Sequence, residues 1–373
     1  MNIVIDIRAL TNTRLSGVGR YIYNSIQHIL TQDRENTYYL ISTGLKDVPK
    51  AWLDFKYDNI HHIHWHFSNK LFNIRTALGI GPDLIKKIPV KVDLFWLPNI
   101  NFFKFNKNVP TILTIHDLSF LHSTQFYSLK RRWWHKLVNV RCLVERADNI
   151  IAVSENTKRD IMRFFTVDED KITVIYPGVM VEEMNQEKAR ALTAKFELKD
   201  KYFVYVGTLE PRKNINTIIA AFDRFYKEHL NYELVIVGAK GWIYQNILRS
   251  IAKRPYVHYL NYVDGSEKDA LYYLSQALIW PSFYEGFGFP PLEASYHKTP
   301  VITSYKTSLP EIMKNQAFYV DPYNVSDVYN VMTDLIDDKN LNSFARENID
   351  KLSLPTCEKQ AQKIIRQFYK FQK

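Results

Sequence analysis

No stretch of this sequence approaches the ~20 apolar residues that a bilayer-spanning helix needs, so any membrane contact is expected to be peripheral. Cysteine is scarce: Cys142 and Cys357 stand in unrelated contexts. One pair is not a disulfide framework, and no CxxC or metal-type spacing accompanies it. Both thiols are expected to stay reduced in the cytosol. The segment MNIVIDIRAL is not expected to act as a secretory leader, because Asp6 and Arg8 interrupt the apolar run too early. Internal repeats and low-complexity tracts are missing as well, so a solenoid or a disordered linker is not indicated.

What is present points to a soluble enzyme-sized chain. At 373 residues it exceeds one domain of about 100–200 residues, so two domains are expected. A formal net charge of +10 favours an anionic partner, whether nucleic acid, an acidic membrane surface or a phosphorylated small molecule. A solvated basic surface accounts for the same number. The 24 Tyr and 22 Phe fill cores equally well as they stack on bases and sugars, so composition does not separate those uses.

Short apolar runs alternate with segments of helical period, the pattern of βαβ units and a parallel sheet. In the first half, strands are expected at Ile3–Ile7, Tyr38–Ser42, Ile60–Phe67, Asp93–Leu97, Thr111–Ile115, Asn149–Val153 and Lys171–Ile175. Helices are expected near Val18–Leu30, Leu129–Arg146 and Asn156–Phe165. The turn Tyr176-Pro177-Gly178-Val179 marks a boundary near residue 180. The pattern restarts with strands at Tyr202–Val206, Glu233–Val237, Val257–Leu260, Ala277–Trp280 and Val301–Thr303, and is mostly helical after residue 322. The fold class is therefore α/β: two Rossmann-like, doubly wound domains facing a cleft. Residues 1–180 are expected to form the first domain, 181–355 the second, and 356–373 a helix packing back toward the first. Ligands of such sheets bind at the carboxyl ends of the strands.

Four loops carry possible chemistry. Trp280 to Ala294 runs from a buried strand through Glu285-Gly286-Phe287-Gly288 into a helix with proline in its first turn. Amides at such a helix start favour phosphate, and glycine lets a ligand approach the backbone. Glu285 and Glu293 bracket this loop; a Gly turn with two surface glutamates is the plain alternative. Gly207-Thr208-Leu209-Glu210-Pro211-Arg212-Lys213-Asn214 also follows a strand and precedes a helix. There Arg212 and Lys213 are placed to neutralise a diphosphate, unless the turn is merely solvated. Ser16-Gly17-Val18-Gly19-Arg20 contains G-x-G but lacks the third glycine of the dinucleotide fingerprint. His116, in Thr114-Ile115-His116-Asp117-Leu118, ends another strand, where a histidine either faces a ligand or serves the fold.

Taken in order along the chain, these motifs, with Val153-Ser154 and Tyr176-Pro177-Gly178-Val179, resemble retaining glycosyltransferases of family 4 with the GT-B fold. The Glu-x7-Glu spacing and the EPRKN stretch are the specific parts. The subgroup most resembled contains bacterial mannosyltransferases of O-antigen and capsule assembly that use GDP-mannose. The resemblance implies that Glu285 contacts the donor sugar and Glu293 the ribose. It implies Lys213 on the diphosphate, Gly17 approaching it from the other domain, and His116 facing the transferred sugar. Amides around Gly286, Phe287 and Gly288 complete the phosphate cradle. Many members carry arginine where this chain has Thr208, so Arg212 is expected to supply that charge. The resemblance further implies same-face attack, with the leaving phosphate taking the acceptor proton.

Neither a metal nor a separate cofactor is expected; the donor nucleotide sugar is a substrate. Asp168-Glu169-Asp170 imitates a metal-binding Asp-x-Asp but sits in a polar turn. The run His61 to His66 puts His62, His64 and His66 on one face of a strand, and metal sites draw ligands from several elements, so a plain strand is expected. Leu129–Val144 is strongly basic, with Trp133, Leu137, Val140 and Val144 expected to pack inward on one face. Its charges and Trp134 suit anionic headgroups, or simply water. On the membrane reading the protein is cytoplasmic, peripheral on the inner face of the membrane, and its acceptor is a polyprenyl-diphosphate-linked saccharide. A UDP-sugar donor, or a nucleotide-sugar 2-epimerase of the same fold, is the alternative. Nucleic acid is not expected as a partner, because the basic residues are scattered and no recognisable module is present. The Tyr262-Val263 region is a candidate for contact with the base.

Overall fold

Every paired strand in the structure, a computed structural model describing residues 1–348 and 354–372, runs parallel to its neighbours. One unit comprises Met1–Leu121, Leu129–Gly178 and Pro355–Lys373; the other comprises His122–Ser128 and Val179–Leu354.

The first unit holds strands β1 (Asn2–Asp6), β2 (Thr37–Thr43), β3 (Ile60–Trp65), β4 (Leu94–Leu97), β5 (Thr111–Ile115), β6 (Asn149–Ala152) and β7 (Ile172–Val174). Their order is β3-β2-β1-β4-β5-β6-β7. A sheet covered on both faces needs strands that are apolar throughout, and β4 and β5 are buried at every residue. The period of two is visible in the packing. Leu94 and Trp96 of β4 join one hydrophobic cluster, and Phe95 and Leu97 join the other. Strand order reverses beside β1, which is hydrogen-bonded to both β2 and β4, so the loops after β1 and β4 part in opposite directions.

The helix Gly17–Gln32 starts at that switch point, with Ser16 accepting the Gly19 amide as its cap. The helix Cys357–Tyr369 packs against it. Gln360 accepts from the Gly178 amide at 2.6 Å and donates to Ser25 Oγ at 2.7 Å, and Phe368 lies against Trp96. A Cβ at Gly178 would lie 2.4 Å from the Cys357 backbone, so only glycine fits there.

The second unit repeats the design with β8 (Tyr202–Val206), β9 (Glu233–Val237), β10 (Val257–Leu260), β11 (Leu278–Trp280), β12 (Val301–Ser304) and β13 (Phe318–Val320), ordered β10-β9-β8-β11-β12-β13. The switch point falls between β8 and β11. β13 has no counterpart in the sequence reading; it is three residues long and only Val320 is buried, too short for a periodic signal. The segment His122–Ser128 lies inside the stretch read as residues 1–180, yet it packs with the second unit. Phe126 stacks on Phe283, Tyr127 stacks on Trp242, and Trp242 Nε1 donates to Phe126 O.

The single helix expected over Leu129–Arg146 is two, Leu129–Val138 and Val140–Arg146. Asn139 breaks it with a left-handed φ of 52°, and its side chain accepts the Cys142 amide to cap the second piece. The break resets the helical phase, so the expected inward stripe is split. Val140 and Val144 are buried, whereas Trp133 and Leu137 point outward, 61% and 50% exposed. Among the described residues no helix is long and apolar enough to cross a membrane. The part of the C-terminal helical reading that falls on residues 349–353 and 373 lies outside the described residues.

Candidate functional site

In the second unit the switch point brings two of the sequence-derived loops side by side. The β8 loop runs Gly207–Glu210 into a 3-10 turn, Pro211–Lys213, before the helix Ile215–Tyr226. The β11 loop runs from Pro281 to Gly288 before the helix Phe289–Tyr296. Glycine is dictated where the loops are tightest. A Cβ at Gly207 would meet the Trp280 ring at 2.6 Å, and one at Gly238, where φ is +150°, would stand 1.9 Å from Gly207 O. Asn214 ties the loops together. Left-handed at φ 59°, it donates to Pro281 O at 3.0 Å and Pro322 O at 2.6 Å. It was read only as the end of a motif, and its stapling role carries no signature in one sequence.

Lys213 and Glu285 meet. Nζ lies 2.7 and 2.8 Å from the two carboxylate oxygens, and both side chains are buried. Arg212 supports the pair from the side. Its guanidinium bonds Glu210 Oε1 at 3.0 Å and the Tyr284 carbonyl at 3.2 Å, and Nη1 lies 3.7 Å from Glu285. Thr208, four residues before Arg212, brings no charge; its carbonyl accepts from Tyr205 at 3.3 Å. The loop carrying Glu285 is held from behind: Thr307 Oγ1 accepts the Glu285 amide, and Ser308 Oγ sits 2.6 Å from Phe287 O. Gly288 caps the following helix at φ 118°. Pro290 and Pro291 have no N–H, so the first turn of that helix offers amides only from Phe289 and Leu292.

Glu293 sits one turn into the helix with a lysine of its own. Lys268 Nζ lies 2.6 Å from Oε1, and Tyr272 donates to Oε2 at 3.2 Å. Lys268 and Tyr272 are one turn apart on the helix Gly265–Leu274, a spacing that places them on one face. Neither was singled out from sequence, although the i, i+4 spacing was there to read. Behind them Asp269 is pushed up by burial, but His297, 3.7 Å away, and the nearby Lys268 charge outweigh this and hold it below the ordinary carboxylate range. Glu285 and Glu293 are thus separate centres, each neutralised by a different buried lysine. Tyr262 is exposed, beside buried Val263.

Gly17 and His116 belong to the first unit. Nothing lies within 4 Å of a Cβ built at Gly17, so the surrounding protein does not itself demand glycine there. His116 packs edge-on against Tyr21 and donates Nε2–H to Pro98 O at 2.9 Å, which leaves Nδ1 as the acceptor. Burial holds its pKa below the usual value and keeps the ring neutral at pH 7.

The two possible metal motifs resolve differently. Asp168 to Asp170 lie at a 3-10 turn, where Glu169 pairs with Lys158 at 2.7 Å. On edge strand β3, Ser42 Oγ lies 2.9 Å from His62 and 2.8 Å from His64, so those two histidines share a face. His64 and His66 come together with Asp47, their ligand atoms within 4.8 Å of one another, a grouping the strand pattern alone did not reveal because Asp47 lies on a separate loop.

Two family models cover most of the chain: Glycosyltransferase Family 4 over residues 15–183 and Glycosyl transferases group 1 over residues 185–352. The chain is 30% identical over 234 residues to O-antigen chain mannosyltransferase B of Escherichia coli, 60% of this chain and 61% of that protein. It is 25% identical over 384 residues to the serotype-specific mannosyltransferase WbdA of Escherichia coli, 93% of this chain and 45% of that protein. The chain thus spans less than two thirds of the length of these relatives. In fold it matches sucrose-phosphate synthase from Thermosynechococcus elongatus at a TM-score of 0.77 and 17% identity, over 99% of this chain and 98% of that one. It matches WaaG, a glycosyltransferase involved in lipopolysaccharide biosynthesis, at 0.72 and 16%, over 97% and 99%. These likenesses show the GT-B fold, and with the two family models they give the conclusion: the chain belongs to the family 4 glycosyltransferases.

Proposed function

We propose that the protein is a retaining mannosyltransferase that moves mannose from GDP-mannose to a polyprenyl-diphosphate-linked saccharide in bacterial surface polysaccharide assembly. The observation that carries the reading is the buried Lys213–Glu285 pair at the switch point of the second sheet, where α/β folds take their ligands. A donor diphosphate competes for the lysine. As Lys213 turns to the phosphate, Glu285 becomes free to accept hydrogen bonds from the hexose hydroxyls. Glu293, fixed by Lys268 and Tyr272, faces the ribose. The relatives named as mannosyltransferases support the choice of sugar, and the one named for the O-antigen chain supports the pathway class.

In the reaction the bond between the anomeric carbon and the diphosphate oxygen breaks, and the acceptor oxygen bonds to the same face of that carbon. Lys213, assisted by Arg212 and the Phe289 amide, stabilises the negative charge that grows on the departing diphosphate. The acceptor proton passes to a leaving phosphate oxygen. Glu285 and Glu293 do not form the nucleophile and acid/base pair of a retaining glycosidase, since each is committed to its own lysine. His116 is neutral, so a role for it at the sugar rests on the Nδ1 lone pair and not on a positive charge. A polyprenyl acceptor confines the reaction to the inner face of the cytoplasmic membrane.

The test is incubation of the purified protein with GDP-mannose and a lipid-linked saccharide, with anomeric configuration read by NMR. Glu285→Ala is expected to keep the fold and lose about 10²- to 10³-fold in turnover. Unchanged turnover in the folded variant overturns the assignment; isomerised donor without transfer identifies an epimerase, and transfer only from a UDP-sugar corrects the donor.

A further inference from the structure

Three side chains with metal-binding chemistry meet at the edge of the first sheet, and the proposed reaction uses none of them. His64 and His66 stand two residues apart on edge strand β3, and so on one face. Asp47 comes from the loop after β2. His66 Nε2 donates to Asp47 Oδ1 at 3.0 Å, and His64 Nε2 lies 3.9 Å from the same oxygen. All three ligand atoms fall within 4.8 Å of one another. In tetrahedral zinc sites, metal–ligand bonds of about 2.0–2.1 Å set neighbouring donor atoms about 3.3 Å apart. The two separations from Asp47 bracket that figure, so a small side-chain rotation closes the triad. His66 and Asp47, 61% and 75% exposed at their side chains, are free to make it.

The surroundings hold the triad in place. Ser42 lies opposite His64 in the β2–β3 register and is fully buried. Its hydroxyl stands 2.8 Å from His64 Nδ1 and 2.9 Å from His62 Nε2. When His64 Nδ1–H donates to Ser42, and Ser42 in turn to His62, the His64 Nε2 lone pair faces Asp47. A hydrogen bond behind the ring fixes most metal-bound histidines in this way. The Gly44 carbonyl lies 3.2 Å from His64 Nε2 and accepts its proton in the metal-free tautomer. Binding moves that proton to Nδ1 and reverses the Ser42 bond. The carboxylate is tethered on both sides: the Gly44 amide donates to Trp65 O at 3.2 Å, and Val48 is buried. Among the described residues, the ion-pair partners of Asp47 are His64 and His66, with no lysine or arginine competing for it.

Two imidazole nitrogens and one carboxylate oxygen suit a first-row divalent ion such as zinc, whereas magnesium and calcium prefer all-oxygen shells. Three protein ligands leave a fourth position to water. We infer that His64, His66 and Asp47 bind one zinc ion, which ties the loop of residues 44–48 to edge strand β3. The strand pattern led to the expectation of a plain strand because the third ligand lies on a separate element.

The experiment is calorimetric titration of zinc chloride into the full chain after chelator treatment, with magnesium chloride as the control. The wild type is expected to bind one zinc per chain and no magnesium over the same range. Zinc at a hundredfold excess over Kd is expected to raise Tm by about 5–10 °C. It is also expected to slow amide exchange across residues 44–48. Asp47→Ala and His66→Ala change exposed side chains, so the fold survives, as circular dichroism confirms, and the one-to-one binding is lost. Ser42→Ala keeps all three ligands and is expected to weaken zinc about 10- to 100-fold, because His64 loses the partner behind its ring. A wild type that binds no stoichiometric zinc overturns the inference. Wild-type affinity in both Asp47→Ala and His66→Ala places the ion elsewhere and overturns it too. Magnesium binding as tight as zinc reduces the site to a surface carboxylate, with the same result.

Discussion

Separating the two halves of the Lys213–Glu285 pair should cost far more than removing both. At 2.7 Å and an effective dielectric of about 20 the gross attraction is about 6 kcal/mol. Most of that is offset by taking two charges out of water, so the intact pair is worth little against a neutral replacement. A lone buried survivor is another matter, at about 3–5 kcal/mol. The structure makes the two losses unequal. Without Lys213, the carboxylate still has Arg212 Nη1 at 3.7 Å. Without Glu285, the ammonium keeps only the face of Trp280, 4.6 Å from the ring centre, among the contacts described here. Lys213→Met is therefore expected to cost about 2 kcal/mol, and Glu285→Gln about 3–4 kcal/mol. The double variant should lie about 5 kcal/mol closer to wild type than the sum of the singles, within about 1 kcal/mol of wild type itself. Urea denaturation of the four proteins, with slopes checked for constancy, measures this directly. Single effects that add to the double within about 0.5 kcal/mol refute the reasoning, because the residues would then be uncoupled. A larger loss for Lys213→Met than for Glu285→Gln would refute the role given to Arg212.

Gly238→Ala should be among the most damaging single-methyl substitutions in the chain, at more than about 3 kcal/mol, because it combines a φ of +150° with a Cβ 1.9 Å from Gly207 O. A loss under about 1 kcal/mol in a thermal melt would show that the two loops have room to part. For pH, burial pushes His135 down to about 4, against smaller opposing help from Asp117, while Arg131 lowers it further. The unfolded histidine binds its proton near 6.5, so this contribution is complete above that pH and is lost as pH falls toward 4. Denaturation midpoints of His135→Gln should fall less steeply than those of wild type between pH 6.5 and 4; parallel curves would contradict it.

The alternation of apolar runs and helical segments was enough to place the strands β1 to β12, because a strand buried on both faces leaves an unbroken apolar word such as Tyr202–Val206. The loops after β8 and β11 were legible for the same reason, since each follows such a word and precedes a helix. What joined Lys213 to Glu285 was not legible, for it depends on strand order across the sheet. The lysine on Glu293 was missed because Lys268 sits in an ordinary polar helix start and becomes buried only through tertiary packing. The error at Leu129–Arg146 came from Asn139: a left-handed residue in mid-run resets the angle at which every later side chain emerges.

The first sheet receives its last strand, β7, by residue 174, yet the helix that covers Ile22 and Trp96 arrives only with residues 357–369. During synthesis at about 5–20 residues per second, that interval lasts roughly 10 to 40 s. Through that time one side of the amino-terminal sheet has the helix Gly17–Gln32 but lacks the packing of Ala361, Ile364 and Phe368, while the inserted unit emerges with nearly all of its own chain. The protein therefore finishes its folding out of sequence, with its earliest strands waiting on its latest helix.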